Sequence, residues 1–266
     1  MYNAIVCDYL RGVINSCKIN LLITSAIQNS KLAKLLYKII KYNFILYVLP
    51  LMLVQILNIF DLSFYCILNF ISYPIGIFSA VFHLLHYMDL MNIVCTNSSK
   101  SNNEMPVLDL ISLAITMSLY NIVIYLTTNL INLFFHERIY ILAIMLNFII
   151  LTIYHSFYCF NNLWQYKKIE MAYRIDMHEK LWAYYMGYGT IATIIYLYVN
   201  NFYVMGLYNL YMTICISMPF MIEPRYPSKT KNYPNYPSIN LVIFSYIVGY
   251  IFSFTKYILR FTRASS

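Results

Sequence analysis

The run of apolar residues at positions 108–135 constrains this chain more than any other feature. Its one charged residue, Asp109, lies near its start. An α-helix rises about 1.5 Å per residue, so about 20 apolar residues cross the roughly 30 Å hydrocarbon layer of a bilayer. The run exceeds that length. We therefore interpret the chain as a membrane protein, with lipid as its solvent.

The composition also favours a membrane protein. Hydrophobic residues make up 61% of the chain and charged residues 11%, whereas about one quarter of the residues in a soluble domain are charged. The formal net charge of +8 would suggest nucleic-acid binding in a soluble protein. Cationic loops that face the cytosol and its anionic leaflet account for this charge better. We therefore expect no nucleic acid among the partners.

The first 41 residues are too polar to cross a bilayer. Their membrane-surface cations are Arg11, Lys31, Lys34, Lys38 and Lys41. The four lysines share one helical face, with leucine and isoleucine elsewhere around the helix. This pattern predicts that residues 1–41 form a basic amphipathic helix at the interface, bound to anionic lipid headgroups. The alternative is a solvated helix face that packs on the rest of the protein.

Apolar runs predict about six membrane crossings, so the expected fold is an all-α, polytopic membrane helical bundle. The runs cover residues 44–60, 62–85, 108–135, 139–160, 183–199 and 202–222. A further run at 239–255 is ambiguous, because a full crossing would carry the basic tail 256–266 to the far side. Residues 42–266 would thus form the membrane domain, with a Pro-rich loop at 223–238.

The charges of the loops predict the orientation in the membrane. Cytosolic loops of membrane proteins are enriched in Lys and Arg. With the N-terminus in the cytosol, nearly all cations of this chain fall on the cytosolic side, including those of a charged helix predicted at 161–182. We therefore expect a multi-pass protein with both termini in the cytosol, and a segment 239–255 that is interfacial or only partly inserted.

Motifs for chemistry are weak in this sequence. His83, His86 and Asp89 share a helix face, but nothing near them supplies further metal ligands. Gly-Tyr-Gly at 187–189 matches the core of potassium selectivity filters, although close helix packing is a commoner role for such glycines. We find no acid–base, nucleophile or phosphate-loop motif. We expect a protein that is not an enzyme and uses no metal or cofactor.

The segment 154–189 is the most distinctive part of the chain. It reads YHSFYCFNNLWQYKKIEMAYRIDMHEKLWAYYMGYG. It resembles the etoposide-induced protein 2.4 family of endoplasmic-reticulum membrane proteins, whose pattern runs SLYCFE, a Trp, KGIEM, an Arg, an acidic residue and WPYYFGFG. The matching positions, without a gap, are Ser156, Tyr158, Cys159, Phe160, Trp164, Lys167, Ile169, Glu170, Met171, Arg174, Glu179, Trp182, Tyr184, Tyr185, Gly187 and Gly189.

A weaker likeness lies near the N-terminus, where DYLRGV at residues 8–13 resembles the family's DLARGI. Two positions depart from the family pattern. Ala183 stands where the family has Pro, and Asn161 stands where it has Glu. A long basic insertion that the family carries before its first span has no counterpart here, so functions of that insertion are not implied.

The resemblance implies residence in the endoplasmic reticulum membrane and a non-enzymatic scaffold or adaptor role in autophagosome maturation and degradation, with links to growth control and apoptosis in animals. The implied partners are the lipid bilayer and proteins of the autophagy machinery, and a homo-oligomer is compatible with this role. The broad superfamily includes bacterial CysZ sulfate permeases, so transport of an anion such as sulfate, or of lipid, is the alternative. In that architecture, helices in 108–160 and 183–222 would be re-entrant hairpins.

The segment 154–189 also has a physical interpretation, as a collar at the cytosolic rim of the bundle. Its aromatic residues are expected at headgroup level: Trp164, Trp182, Tyr184 and Tyr185. Acids that precede bases by four residues predict the ion pairs Glu170–Arg174 and Asp176–Lys180. Glu170, Arg174 and Glu179 are expected to form a polar network against a neighbouring loop. The alternative is that these side chains serve helix packing alone.

Overall fold

A computed structural model of the chain describes residues 2–50, 52, 56, 86, 89, 90, 93, 124, 126–135, 140–167, 169–198, 202–222 and 236–239. Within these residues all regular secondary structure is helical, so the described part of the chain is all-α, as the sequence predicts. Several predicted features lie wholly or mostly outside the described residues. These are the run 62–85, the first part of the run 108–135, the loop 223–238, the segment 239–255 and the tail 256–266.

The helices are short except for one. In chain order they are α1 (Tyr2–Ser16), α2 (Ile19–Gln28), α3 (Ser30–Asn43), α4 (Leu126–Phe135), α5 (Tyr140–Tyr166), α6 (Met171–Lys180), α7 (Trp182–Leu197) and α8 (Phe202–Ser217). A π-helical turn, Phe44–Val48, continues α3, and a 3₁₀ turn, Met218–Phe220, follows α8. Among the helices that the structure describes, α5 is the one long and apolar enough to cross a membrane, over Tyr140–Trp164.

The chain divides into two compact units. The first comprises Met1–Asn15, Ser101–Thr190 and Pro224–Ser266, and the second comprises Ser16–Lys100 and Ile191–Glu223. The first unit therefore holds nearly all of α1, together with α4, α5, α6 and the first half of α7. The second unit holds α2, α3, α8 and the end of α7.

Residues 2–43 form three helices, whereas the sequence suggested one amphipathic helix over 1–41. The second break falls at Asn29, whose backbone is extended. Its Oδ1 accepts hydrogen bonds from the amide N–H groups of Lys31 and Leu32, at 3.0 and 3.3 Å. Such an N-cap satisfies amide groups that have no partner within the helix, so Asn29 begins α3 as a separate element.

The core of the second unit is built on α3. Leu32, Leu35 and Ile39 are buried on one stripe of this helix and cluster with Leu90, and Phe220 packs against them. The protein itself covers this apolar stripe. For these side chains this agrees with the alternative prediction, in which the helix packs on the rest of the protein. The position of the helix relative to a membrane stays a prediction, which depends on its other faces.

The first unit is built on the C-terminal half of α5. Residues 151–164 of this helix are buried almost throughout, against α6 and α7, whereas its first turns carry exposed apolar side chains. The charged helix predicted at 161–182 is divided: α5 continues to Tyr166, and α6 begins at Met171. The chain turns between them because Ile169 N–H donates back to the carbonyl of Trp164, at 2.9 Å.

Candidate functional site

The N-terminal helix α1 crosses α7 with backbone against backbone. A Cβ on Gly12 would collide with the carbonyl oxygen of Tyr184 and lie 2.7 Å from the amide nitrogen of Tyr188. A Cβ on Gly187 would in turn collide with the carbonyl oxygen of Tyr9. Because no side chain fits between the two helices at these points, glycine is required on both sides of the crossing.

Two side-chain hydrogen bonds fix this crossing at its ends. Thr190 Oγ1 donates its proton to the carbonyl of Met186, at 2.8 Å. The Tyr9 hydroxyl, 2.9 Å from the same oxygen, therefore donates to Thr190. At the other end Asn15 Nδ2 donates to the Tyr184 hydroxyl, at 3.1 Å. The first helix of the chain is thus held to a segment more than 160 residues later.

The second glycine of the Gly-Tyr-Gly sequence serves a different crossing. A Cβ on Gly189 would collide with the carbonyl oxygen of Thr152, on α5. Gly187 therefore admits α1, and Gly189 admits α5, on two faces of the same regular helix. This is the close-packing role. A selectivity filter would instead need unwound backbone whose carbonyl groups line a pore.

A cluster of aromatic rings fills the space between α5, α6 and α7. Its members are Phe157, Phe160, Trp164, His178, Tyr184, Tyr185 and Tyr188. The rings of His178 and Tyr185 stack, with centroids 3.9 Å apart and planes 13° apart. Trp164 is 0% exposed and Tyr185 1%. Trp164, Tyr184 and Tyr185 point into the protein, because neighbouring helices cover them, and Trp182 is half-buried. Their position at headgroup level stays a prediction.

His178 is a buried, neutral histidine at the centre of this cluster. Ser156 Oγ donates to the carbonyl of Ile153 at 2.8 Å, so the N–H at His178 Nε2 donates to Ser156 Oγ, at 2.9 Å. Its Nδ1 has no partner within the part of the chain that the structure describes. Burial lowers the pKa of His178 to about 3, so the ring carries no charge at physiological pH.

Arg174 is buried on the same face of α6 and is held by neutral acceptors. Its Nε donates to the carbonyl of Ile169 at 2.8 Å, and its Nη1 donates to Asn161 Oδ1 at 2.7 Å. Burial lowers the pKa of Arg174 to about 10, and the guanidinium stays charged at neutral pH. Asn161 occupies the position at which the resembling family has Glu. The guanidinium therefore faces an amide where that family would place a carboxylate.

The predicted ion pair between Glu170 and Arg174 is wrong, because Arg174 turns inward to Asn161 and Glu170 is exposed. The polar network expected of Glu170, Arg174 and Glu179 is dispersed in the same way. Glu179 does meet a neighbouring segment, through its backbone carbonyl, which accepts from Ile239 N–H at 3.2 Å. The second predicted pair is confirmed: Lys180 and Asp176 are 2.7 Å apart.

Residues 236–239, which we call the strap, bind across the start of α7. The indole N–H of Trp182 donates to the carbonyl of Pro237 at 3.0 Å, and the ring of Trp182 meets that of Tyr236 edge-on. The Tyr236 hydroxyl donates to Asp8 Oδ2, at 3.3 Å. The strap therefore joins α7 to α1. The collar thus consists of parts of α1, α5, α6 and α7 together with the strap.

The remaining predicted residues are scattered. Among the motif positions Cys159 is buried, Tyr158, Ile169 and Met171 are half-buried, and Lys167 is exposed; Arg11 and the lysines Lys31, Lys34, Lys38 and Lys41 are also exposed. His83 lies outside the described residues, and His86 is buried edge-on against Tyr42. Within the described residues no three His, Cys, Asp or Glu side chains are grouped so that they could hold a metal.

Several contact residues of the collar were not predicted. His178 could have been found, because it follows Arg174 by four residues and so lies on the same helix face. Asn15 and Tyr9 carry no local signal, since their partners lie on α7. Tyr236 lies at the end of a Pro-rich segment and gives no sign of its contact with Asp8.

In the part of the chain that the structure describes, these features define a class of protein: it is all-helical, with one long apolar helix, and distant segments meet in a polar and aromatic collar around one glycine-containing helix. The chain is 43% identical over 244 residues to "Uncharacterized protein L211" of Acanthamoeba polyphaga mimivirus, a match that covers 91% of this chain and 92% of that protein. The chain belongs to the family of that mimivirus protein. No family model matches the chain, and no solved structure matches it.

Proposed function

We propose that this chain is a multi-pass protein of the endoplasmic reticulum membrane and a member of the etoposide-induced protein 2.4 family. In this proposal it acts without catalysis, as a membrane scaffold or adaptor for proteins of the autophagy machinery during autophagosome maturation. The observation that carries the membrane part is the exposure of large apolar side chains on α4 and on the first turns of α5.

These exposed side chains are numerous and adjacent. They are Leu126, Leu130, Leu133 and Phe134 on α4, and Tyr140, Ile141, Leu142, Ile144 and Met145 on α5. Leu133 and Phe134 are 76% and 77% exposed. Apolar surface in water costs about 25 cal/mol per Å², and soluble proteins rarely expose such contiguous patches. The acyl chains of a bilayer would cover this surface without that cost.

A polar contact between the same two helices supports the placement in lipid. Asn147 Nδ2, on α5, donates to Asn132 Oδ1, on α4, at 2.7 Å. Hydrogen bonds between amide side chains are a typical means of joining helices in a bilayer, where no water competes for them. α4 and α5 would thus associate as a hairpin, with their apolar side chains directed to lipid.

The lengths of α7 and α8 support the re-entrant alternative for this pair. Each helix has 16 residues. At 1.5 Å per residue each measures about 24 Å, which is less than the roughly 30 Å of the hydrocarbon layer. We propose that they enter only part of the bilayer, whereas α5, with 27 residues, is long enough to cross it. Backbone that turns inside the membrane is acceptable where protein covers it.

The collar supports the assignment to the etoposide-induced protein 2.4 family. Two separate segments resemble that family, one at 8–13 and one at 154–189. They contact each other where Gly12 meets α7. Two matched motifs that form one contact are better support for a shared fold than either motif alone.

The membrane placement is tested by extraction and topology. We expect the full-length chain, expressed in cultured cells, to resist alkaline carbonate extraction and to co-localise with endoplasmic reticulum markers. An N-terminal epitope should be accessible to antibody when only the plasma membrane is permeabilised. Release by carbonate, residence in another organelle, or an epitope that becomes accessible only after the reticulum is permeabilised would each contradict the proposal.

The scaffold role is tested in cells depleted of their own etoposide-induced protein 2.4. We expect this chain to restore autophagic turnover of a reporter. A charge reversal at the exposed collar positions, Lys167→Glu with Glu170→Lys, should prevent the rescue, because it inverts two charges on the surface that we propose to bind proteins. The matched control is Lys18→Glu, which should rescue normally at equal expression. Failure of the unmodified chain to rescue would overturn the role.

Transport remains a second candidate because of one observation. Asn147, Thr152, His155 and Ser156 are buried polar residues within the apolar helix α5, and polar groups inside a span often mark ion pathways. Purified protein in liposomes separates the two functions. The scaffold role predicts neither sulfate flux nor lipid scrambling above that of empty vesicles. Flux that Arg174→Gln abolishes would establish transport instead.

A further inference from the structure

Helix α3 carries three distinct faces, because successive residues turn by about 100° around its axis. One face is buried in the core of the second unit: Leu32, Leu35 and Ile39. A second face consists of exposed lysines: Lys31, Lys34, Lys38 and Lys41. The third is exposed and apolar: Tyr37, Ile40 and, in the following turn, Phe44. Among the described residues, the core contacts of α3 are made by its first face, and the other two faces are exposed.

The lysine face borders a groove between α3 and the side chains of Asp89 and Ile93. The groove has a volume of about 370 Å³ and is lined by Lys31, Lys34, Leu35, Lys38, Asp89 and Ile93. Within the described part of the chain, none of these three ammonium groups forms an ion pair, and Asp89 pairs with none of them. The groove thus combines three lysines and one aspartate with two apolar side chains, Leu35 and Ile93.

Like charges one helical turn apart repel each other, and an anion placed between them removes this repulsion. A phosphate group offers several strong acceptor oxygens, and lysine binds it as a flexible point charge with three donors. The groove is lined by three lysines from successive turns of the helix: Lys31, Lys34 and Lys38. A phosphate suits them better than a carboxylate ligand would, because a carboxylate has fewer oxygens to accept from their ammonium groups.

Asp89 restricts the ligand further. A carboxylate repels phosphate but accepts hydrogen bonds from hydroxyl groups. A groove that combines three lysines with one aspartate therefore matches a headgroup that carries both phosphate and free hydroxyls. A simple phosphomonoester would gain the lysine contacts and would also meet the repulsion from Asp89.

The apolar face of α3 indicates that this headgroup belongs to a lipid. Tyr37 is 68% exposed and lies beside the lysines. The exposed apolar positions continue along the chain beyond Phe44, at Leu49, Met52 and Ile56. A free sugar phosphate or an RNA would leave this surface in water, whereas the acyl region of a membrane would cover it.

We propose that the groove beside α3 binds the phosphorylated polyol headgroup of an anionic membrane lipid. Lys31, Lys34 and Lys38 hold the phosphate, and Asp89 accepts a hydroxyl group of the polyol. The exposed apolar face of α3 then lies toward the acyl chains. This inference rests on the proposed membrane placement and deepens it, because it names a lipid class and the side chains that select it.

The test uses the full-length protein purified in a neutral detergent, with short-chain lipids as probes. Binding of dioctanoyl phosphatidylinositol monophosphate is measured by thermophoresis, next to dioctanoyl phosphatidylcholine and dioctanoyl phosphatidic acid. We expect the inositol lipid to bind at least about tenfold more tightly than the choline lipid, and Lys34→Gln with Lys38→Gln to abolish that difference, because charge-assisted hydrogen bonds are lost. Equal affinity for the choline lipid would overturn the proposal.

The matched control is Lys18→Gln with Lys41→Gln, which removes the same charge outside the groove and should leave affinity within about twofold. An equal loss in both double variants would mean general electrostatic attraction and overturn the site. Asp89→Asn should weaken binding of the inositol lipid and strengthen that of phosphatidic acid. If both lipids change in the same direction, the role of Asp89 is refuted.

Two further arms separate the ligand sources and the hypotheses. Inorganic phosphate and a single-stranded RNA oligonucleotide are offered as competitors, and displacement of the lipid by either one at comparable concentration would contradict a lipid site. The same preparation is subjected to alkaline carbonate extraction from membranes. If the protein stays in the membrane but shows no preference among the headgroups, this inference alone is refuted. If carbonate releases the protein from the membrane, the proposed function on which the inference rests is refuted.

Discussion

Gly12 of α1 lies directly against Gly187 of α7: a Cβ on Gly12 would be 3.1 Å from the carbonyl carbon of Gly187. Neither residue has a side chain to separate the helices, so the two backbones touch. In a bilayer the hydrophobic effect contributes little to helix association, because lipid is as apolar as the helices. Helices there typically associate by close packing at small residues. The stability of the collar should therefore depend on these glycines.

We predict that Gly187→Ala destabilises the protein. In an open helix this change would stabilise by about 1 kcal/mol, because Ala has the higher helix propensity. Here the added methyl group meets the Tyr9 carbonyl, and overpacking of this kind costs about 1–3 kcal/mol. Thermal unfolding in detergent should show a lower melting temperature. Asn3→Ala, on the exposed side of α1, is the control, and a rise in melting temperature for Gly187→Ala would show that the crossing is not tight.

We predict unequal effects for two substitutions of Asn161. Asn161→Leu keeps the approximate volume but removes the acceptor for Arg174 Nη1, which leaves a buried charged donor unpaired at a cost of about 1.5–3 kcal/mol. Asn161→Asp keeps an acceptor there and gives the guanidinium an ionised partner, so its loss should be smaller. The comparison is made by thermal unfolding at neutral pH. Equal losses would mean that the bond to Arg174 contributes little.

We predict that stability falls in acid partly through His178. Its pKa is about 3 in the folded protein, against 6.5 for an exposed ring, so the unfolded chain binds the proton first. The stability of the fold with an uncharged His178 is fully present above pH 6.5 and is lost progressively as the pH falls toward 3. At pH 5 the loss amounts to about 2 kcal/mol. His178→Gln should reduce the loss between pH 7.5 and pH 5, measured by chemical unfolding. Parallel pH profiles for the two proteins would contradict this prediction.

We predict that Trp182→Phe loosens the strap. The change keeps an aromatic ring beside Tyr236 but removes the N–H that donates to the carbonyl of Pro237. Loss of a hydrogen bond worth about 1 kcal/mol should make local opening about fivefold more frequent. Limited proteolysis in the loop 223–238 should accelerate by a similar factor. An unchanged cleavage rate would show that the strap is held by other contacts.

The sequence predicted the helical class and several helix positions because apolar runs are local signals. The runs at 183–199 and 202–222 correspond to α7 and α8, with differences of a few residues at their ends. Capping was harder to predict. Asn29 caps α3 and divides it from α2. Because Asn is common throughout this chain, a single Asn did not stand out as a helix cap.

The partners of the collar residues could not be predicted from spacing. The rule that an acid four residues before a base forms a pair holds for an exposed helix face, and it succeeds for Asp176 and Lys180. It fails for Arg174, because that face of α6 is buried and Asn161 of α5 is closer than Glu170. The contacts of α1 could not be predicted for a related reason: no local sequence pattern links Tyr9 to a partner 181 residues away.

The docking of α1 on α7 has a consequence for how the protein is made. Ribosomes add about 5–20 residues per second, so α1 emerges roughly ten to forty seconds before the segment that must receive it, 181 residues later, exists. During that interval Gly12 has no helix against which to pack. The collar therefore cannot form until α7 and the strap have been synthesised, and a nonsense mutation before α7 would leave α1 without the helix on which it packs.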